Sequence, residues 1–306
     1  MSHASSRRRA VLALTLAAAS WGAGVVVSKR AVEEIPPLTL LAIQLAVSLV
    51  ALALLMRLRG VPFRDRSAAP VLGRLGLLNP GLAYALSLLG LVHITASLSV
   101  LLWAMEPLLI LLLAGLLLGE RSGPSLVVLS IVAVGGLLLV IYQPDSTGSL
   151  VGVALTLAGV ACCAVYTIIA RRWLGTSAST AQVVAAQQAY ALGFALVLVA
   201  ALWALGGSVL PDQATLAAWA SAVGSGLIYY GLAYWFYLSA LRHVPASFAA
   251  ASFYLIPVFG VAGGFVLLGE RLGPAQWLGA AIVLVAVYAV LRRVRGQSAE
   301  PESLPV

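Results

Sequence analysis

ASLSVLLWAMEPLLILLLAGLLLGER, residues 96–121, joins a membrane-length apolar run to a single acid, Glu106, near its middle. A near copy, ASFAAASFYLIPVFGVAGGFVLLGER, fills residues 246–271. Pro107 returns as Pro257 and the closing Leu-Leu-Gly-Glu-Arg returns unchanged, but Ile256 stands where the acid was. The chain is a duplication, and only one copy carries a carboxylate in mid-run.

The likeness extends outward from both copies. At an offset of 150, Gly81-Leu82-Ala83-Tyr84 returns as Gly231-Leu232-Ala233-Tyr234, His93 as His243, Ala96-Ser97 as Ala246-Ser247 and Gly123-Pro124 as Gly273-Pro274. Nearer the N-terminus, Ala13-Leu14-Thr15-Leu16-Ala17 matches Ala154-Leu155-Thr156-Leu157-Ala158 at an offset of 141, and a small shift aligns Gln44 with Gln187. Self-similarity at a fixed period is the signature of a repeat architecture.

Each copy lies in a chain that water alone would not dissolve. Of 306 residues 62% are hydrophobic and 9% charged, and mean hydropathy is +1.04, so too little charge is present to cover a soluble surface. Apolar runs near the ~20 residues needed to cross a bilayer fall at about 10–28, 38–56, 72–92, 96–118, 124–142, 150–170, 181–205, 215–240, 246–268 and 274–291. Runs of this length satisfy their backbone hydrogen bonds as helices. The expected fold is an all-α membrane protein of ten transmembrane helices, built as two five-helix repeats. Five is odd, so the second repeat enters the membrane upside down, the construction of many secondary transporters. The expected division is residues 1–147 for the first repeat with a basic cytoplasmic N-terminus, 148–295 for the inverted second, and 296–306 for a disordered cytoplasmic tail.

Basic residues orient the chain. Alternate loops and the termini on one side receive fifteen Arg, including Arg7, Arg8, Arg9, Arg57, Arg59, Arg171 and Arg172, whereas the other side receives only Lys29, Arg30 and Arg271. Positive residues mark the cytoplasmic side, so both termini are expected in the cytoplasm and the protein in the inner membrane. The net charge of +8 is spread among short loops, which fits a membrane rather than a nucleic acid. Cys162 and Cys163 are adjacent in an apolar run and read as packed thiols, without the spacing of a metal site.

Trp21-Gly22 followed by Lys29, the prolines Pro107 and Pro257 about a dozen residues before Leu-Gly-Glu-Arg, and the tandem five-helix repeats resemble the EamA family of the drug/metabolite transporter superfamily. The resemblance covers residues 10 to 292 and implies a carrier, with exporters of aromatic amino acids as the most similar members. Gln44 stands where family members often carry Arg on the second helix, which argues against a strongly anionic substrate.

Candidate site residues are the polar and aromatic side chains inside spans. Glu106 leads, because an intramembrane acid needs water, a partner or a proton and is functional by default; it could carry a proton or attract a substrate ammonium, or it could be a structural carboxyl bonded to a neighbouring helix. Ser99, Trp103 and Glu106, at i, i+4 and i+7, share one face of an unbroken helix. An indole beside a carboxylate suits an amphipathic ammonium. Trp21, Gln44, Asn79, Tyr166, Gln187 and Tyr230 complete the set. Asn79 precedes Pro80-Gly81, a helix break of the kind that lines cavities. The fifth helix of each half, almost purely Leu, Val, Ile, Ala and Gly, is expected outside the pathway. Lys29 is expected either to snorkel or to meet a substrate carboxylate.

The sequence thus predicts export of small amphipathic metabolites, with aromatic and other neutral amino acids as what the resemblance implies, and efflux of drugs or organic cations through Glu106 as the alternative. A membrane enzyme would need clustered carboxylates, a metal set or a nucleophile beside a base, and none is visible. No cofactor and no metal is expected. The partners expected are a small-molecule substrate and membrane lipid, not nucleic acid, for a monomer or homodimer.

Overall fold

The computed structural model describes residues 3–60, 73–118, 124–141, 149–171, 180–241, 253 and 255–298, and among them every regular element is helical. The repeated Ala246-Ser247, the first Gly-Glu-Arg (119–121), His243 and the tail beyond Ser298 lie outside the described residues.

The first long helix, α1 (His3–Val32), ends in Lys29 and Arg30, where cations complement the carbonyl end of a helix. Next, α2 (Pro37–Leu58) starts on a proline, whose missing N–H is not needed in a first turn. The third run does not form one regular helix. A 3₁₀ turn at Leu75–Leu77 and a π turn at Leu78–Leu82 precede α3 (Ala83–Leu91), because Pro80 supplies no N–H and Asn79 takes an extended conformation, φ −143 and ψ 118. A second π turn, Gly226–Leu232, occupies the repeat-related place between α9 (Leu216–Ser225) and α10 (Ala233–Leu241).

The organising stretch itself corrects an expectation. It is two helices, α4 (Ala96–Trp103) and α5 (Glu106–Leu118), parted by a turn at Ala104 and Met105. Pro107 causes the break: it lacks the N–H that would reach the Trp103 carbonyl, and its ring would collide with that group. The Met105 N–H instead closes the turn on the Leu102 carbonyl at 3.0 Å. Glu106 therefore opens a new helix and does not continue the face of Ser99 and Trp103.

The remaining helices are α6 (Pro124–Ile141), α7 (Leu150–Arg171), α8 (Thr180–Ala204), α11 (Leu255–Leu267) and α12 (Pro274–Ser298). Five described segments have the length and apolarity to cross a membrane, Arg8–Val32, Pro37–Leu58, Leu150–Ala170, Ala181–Ala204 and Leu216–Tyr237, and five shorter apolar helical segments accompany them.

Packing is exchanged between the halves. α1 lies on α9, α10 and α11, while its repeat mate α7 lies on α3, α4 and α5; α2 packs on α8, and α6 on α12. Glycines permit these approaches. A Cβ on Gly76 would come within 2.6 Å of the Gln187 Cα, and one on Gly226 within 2.8 Å of the Gln44 Cα. Gly76 and Gly226 are 150 residues apart, and Gln44 and Gln187 are the aligned pair, so one contact is made twice.

The pair α6 and α12 meets through Gly136 and Gly279, and the buried Gln276 side chain donates to the Val140 carbonyl at 3.1 Å. Their other faces are apolar and open, with Ile131, Leu138 and Val285 each at least 60% exposed. Such a face suits lipid, since hydrocarbon exacts no penalty for it.

Candidate functional site

A central cavity lies where α1, α2, α3, α4 and the second π turn meet. Its aromatic wall is Tyr84, Trp103, Tyr229 and Tyr230; its polar wall is Ser28, Gln44, Ser87 and Ser99; Val25, Leu88 and Leu91 close it. Each of these lining side chains is uncharged.

The aromatic wall is a connected stack. Tyr84 lies nearly parallel to Trp103, centroids 5.3 Å apart at 21°, and meets Tyr229 and Tyr230 edge-on, each at 5.4 Å. Offset and edge contacts of this kind contribute about 0.5–1.5 kcal/mol each beyond burial. The indole N–H of Trp103 donates to Ser87 Oγ at 2.9 Å, which fixes the ring against the helix before it. Gly24 gives Tyr229 room, since a Cβ there would sit 2.7 Å from that ring.

On the polar wall Gln44 is held from both halves. Its Nε2 donates to Ser28 Oγ and to Ser225 Oγ, each at 2.8 Å, so both amide protons are used and the carbonyl oxygen keeps its acceptor capacity. Ser99 is 1% exposed and its hydroxyl has no partner among the described residues. A buried hydroxyl left unpaired is unfavourable by about 1–3 kcal/mol. It is therefore a ready partner for a guest or a water. The space between the walls holds about one or two waters rather than an amino acid. Admission of a substrate needs the helices to part.

The residues singled out in the sequence divide between this cavity and its surroundings. Gln44, Ser99, Trp103 and Tyr230 line it. Trp21 packs beside it in an aromatic cluster with Tyr234, Tyr237 and Phe253, centroids 5.2–5.7 Å away. Glu106 is not among the lining residues; its Oε1 accepts a hydrogen bond from Cys163 Sγ on α7 at 3.3 Å. Tyr166, one turn along α7, donates to Gln187 Oε1 on α8 at 3.1 Å. Asn79, 8% exposed, has an Oδ1 without a partner among the described residues, at the break that faces α8. Lys29 caps α3, its Nζ donating to the Leu91 carbonyl at 2.9 Å.

Sequence reasoning passed over Ser28, Tyr84 and Ser225. Tyr84 had a signal, as the last residue of the repeated Gly-Leu-Ala-Tyr. Ser28 and Ser225 had none, because their importance lies in orienting Gln44 from other helices. The cysteines are free thiols as expected, but Cys163 has the added work of meeting Glu106.

Known proteins resemble the chain in sequence and in fold. The chain is 26% identical over 289 residues to an uncharacterized transporter of Archaeoglobus fulgidus, covering 92% of this chain and 98% of that one. It is 33% identical over 189 residues to the uncharacterized protein PA1977 of Pseudomonas aeruginosa, covering 62% of each. A solved crystal structure superposes with a TM-score of 0.64 over 96% of this chain and all of the other at 18% identity, a likeness of fold alone. The model of the EamA-like transporter family matches twice, over residues 8–142 and 150–292, and the chain belongs to that family of membrane transporters.

Proposed function

We propose that this transporter exports small amphipathic metabolites, foremost aromatic and other neutral amino acids, across the inner membrane by alternating access, in the manner of the aromatic amino acid exporter YddG. The observation that carries the reading is the cavity, with four aromatic rings facing four uncharged polar side chains. An apolar or aromatic body would stack on Tyr84, Trp103, Tyr229 and Tyr230, while the ammonium of a zwitterionic head would donate to the Gln44 carbonyl oxygen and its carboxylate would accept from the Ser99 hydroxyl. No lining side chain repels or neutralises a net charge, which favours a neutral guest.

Two inverted five-helix units, residues 1–147 and 148–295, are the frame of this proposal, with both termini in the cytoplasm. The double family match, the repeated Gly-to-Gln contacts and the exchanged helix pairs support it. A cavity at the interface of two such units is where secondary transporters hold their substrates. The Ser99 hydroxyl and the Gln44 carbonyl oxygen are the polar groups on its walls left to meet a guest. The open faces of α6 and α12 would meet lipid, or the same face of a second copy in a homodimer.

Efflux of organic cations through Glu106 finds less support. Its carboxylate is engaged by Cys163 and lies off the cavity wall. The test is uptake of labelled tryptophan, phenylalanine, threonine and a quaternary ammonium drug into liposomes containing the purified protein, with and without a pH gradient. Saturable movement of the amino acids without the drug is expected. Movement of the drug alone would overturn the proposal.

A further inference from the structure

At the end of the bundle remote from both termini, two carboxylates cross between the halves to seize the starts of helices. Glu270, just before α12, accepts from the Ala96 N–H at 2.7 Å, the Ser97 N–H at 2.9 Å and the Ser97 hydroxyl, all at the start of α4. Glu34, between α1 and α2, accepts from the Thr215 N–H at 2.7 Å and the Thr215 hydroxyl at 3.0 Å, at the start of α9. The first link runs from the second half to the first and the other from the first to the second. Between them they bind the helices that carry Ser99 and Trp103 and that lead into Tyr229 and Tyr230.

Each helix start already has a cap of its own. Thr95 accepts from the Leu98 N–H at 3.2 Å and Thr215 from the Ala218 N–H at 3.2 Å. The glutamates are thus additional to ordinary capping. The first amides of a helix have no partner within it, and a carboxylate there gains from both charge-assisted hydrogen bonds and the helix dipole. Gly264 of α11 leaves the space for one link: a Cβ there would stand 2.5 Å from Glu270 Oε2 and 2.6 Å from Ser97 Oγ.

We propose that Glu270 with Ala96-Ser97, and Glu34 with Thr215, are the paired clasps that shut the cavity at the end remote from the termini, and that both must part for the cavity to open there. This rests on the reading of the chain as an alternating-access carrier. Both clasps are made in a structure whose cavity has no room for a substrate, so they describe the shut state of that end. Both use backbone amides, which cannot rotate away from the helix. Once the glutamates let go, α4 and α9 can move as bodies, and with them the two walls of the cavity.

The test needs no knowledge of the substrate. Leu88, on the cavity wall, is replaced by Cys and labelled with a membrane-impermeant thiol reagent applied separately to each face of sealed vesicles, against the same protein without that Cys. In this background Glu270→Gln, Glu34→Gln and Gly264→Ala should each raise labelling from the face remote from the termini by roughly tenfold, the equivalent of one lost charge-assisted hydrogen bond. The double variant Glu34→Gln/Glu270→Gln should raise it further. Thr95→Ala, which removes a cap within one half, should lower the melting temperature without changing sidedness. If the glutamate variants melt earlier but label as the parent does, or gain labelling equally from both faces, the carboxylates are helix caps and the proposal falls. Transport of the amino-acid panel by the unaltered protein is scored separately, so a failed carrier reading and a failed clasp give different results.

Discussion

Gly226 lies against the backbone of Gln44 so closely that a Cβ on the glycine would come within 2.8 Å of both the Gln44 Cα and its carbonyl oxygen. The obstacle is main chain in a helix and cannot step aside. Gly226→Ala should therefore destabilise the protein by about 1–3 kcal/mol, the usual range for overpacking, and Gly76→Ala, against Gln187, by a similar amount. Gly224 and Gly193 are the controls, since none of the described residues beyond their own helix stands within 4 Å of a Cβ at either. Alanine there should be neutral or slightly stabilising through helix propensity. Thermal unfolding in detergent separates the two pairs, and equal melting of Gly226→Ala and Gly224→Ala would refute the close approach.

The contact shows how much of the fold was legible in the sequence. The apolar runs and the 150-residue repeat are long signals and foretold where helical segments lie among the described residues, though not that the runs 72–92, 96–118 and 215–240 are each broken. The break at Asn79-Pro80 was legible because proline acts on its own turn. The break before Glu106 was caused by the same chemistry at Pro107, yet the heptad-like spacing of Ser99, Trp103 and Glu106 hid it; periodicity describes a helix only while the helix continues. Polar partnerships across helices were the least legible. Nothing local marks Ser225 as the second acceptor for Gln44, or Cys163 as the donor to Glu106.

Trp103 bears on recognition most directly. Its ring is stacked on Tyr84 and its N–H is held by Ser87. Trp103→Phe keeps the stack and loses the hydrogen bond, so stability should fall by about 1 kcal/mol with little change in which substrates move. Trp103→Ala removes the face itself. The KM for aromatic amino acids should then rise up to about tenfold, matching the worth of one aromatic contact, while that for threonine changes less. Equal effects on both substrates would make Trp103 a packing residue only.

Lys29 offers the opposite case, a charge that the structure assigns to capping. Its ammonium meets the last carbonyls of α3, Leu91 at 2.9 Å and Val92 at 3.5 Å. Lys29→Met should lower stability by about 0.3–1 kcal/mol, as loss of a cation at a helix C-terminus does, and leave amino-acid KM unchanged. A tenfold rise in KM for amino acids, absent for their amides, would mean that Lys29 reads the substrate carboxylate after all.

Glu106 is the acid that drew attention first, and its place beside Cys163 lets coupling and structure be separated. It stands in the first turn of α5, where a carboxylate is favoured by the unpaired amides. Cys163→Ala removes its donor and should destabilise the protein by about 1–3 kcal/mol, whereas Cys163→Ser keeps a donor and should recover most of that. Adding Glu106→Gln to Cys163→Ala should cancel part of the loss, because the group left without a partner is then neutral; the double-mutant cycle measures that interaction. Transport supplies the other half of the test. If Glu106 carries coupling, Glu106→Gln abolishes accumulation driven by a pH gradient and leaves downhill exchange intact in the same liposomes. If accumulation and exchange both survive while the cycle still shows the interaction with Cys163, the carboxylate serves to join α5 to α7 at the proline break, and coupling must be sought elsewhere in the bundle.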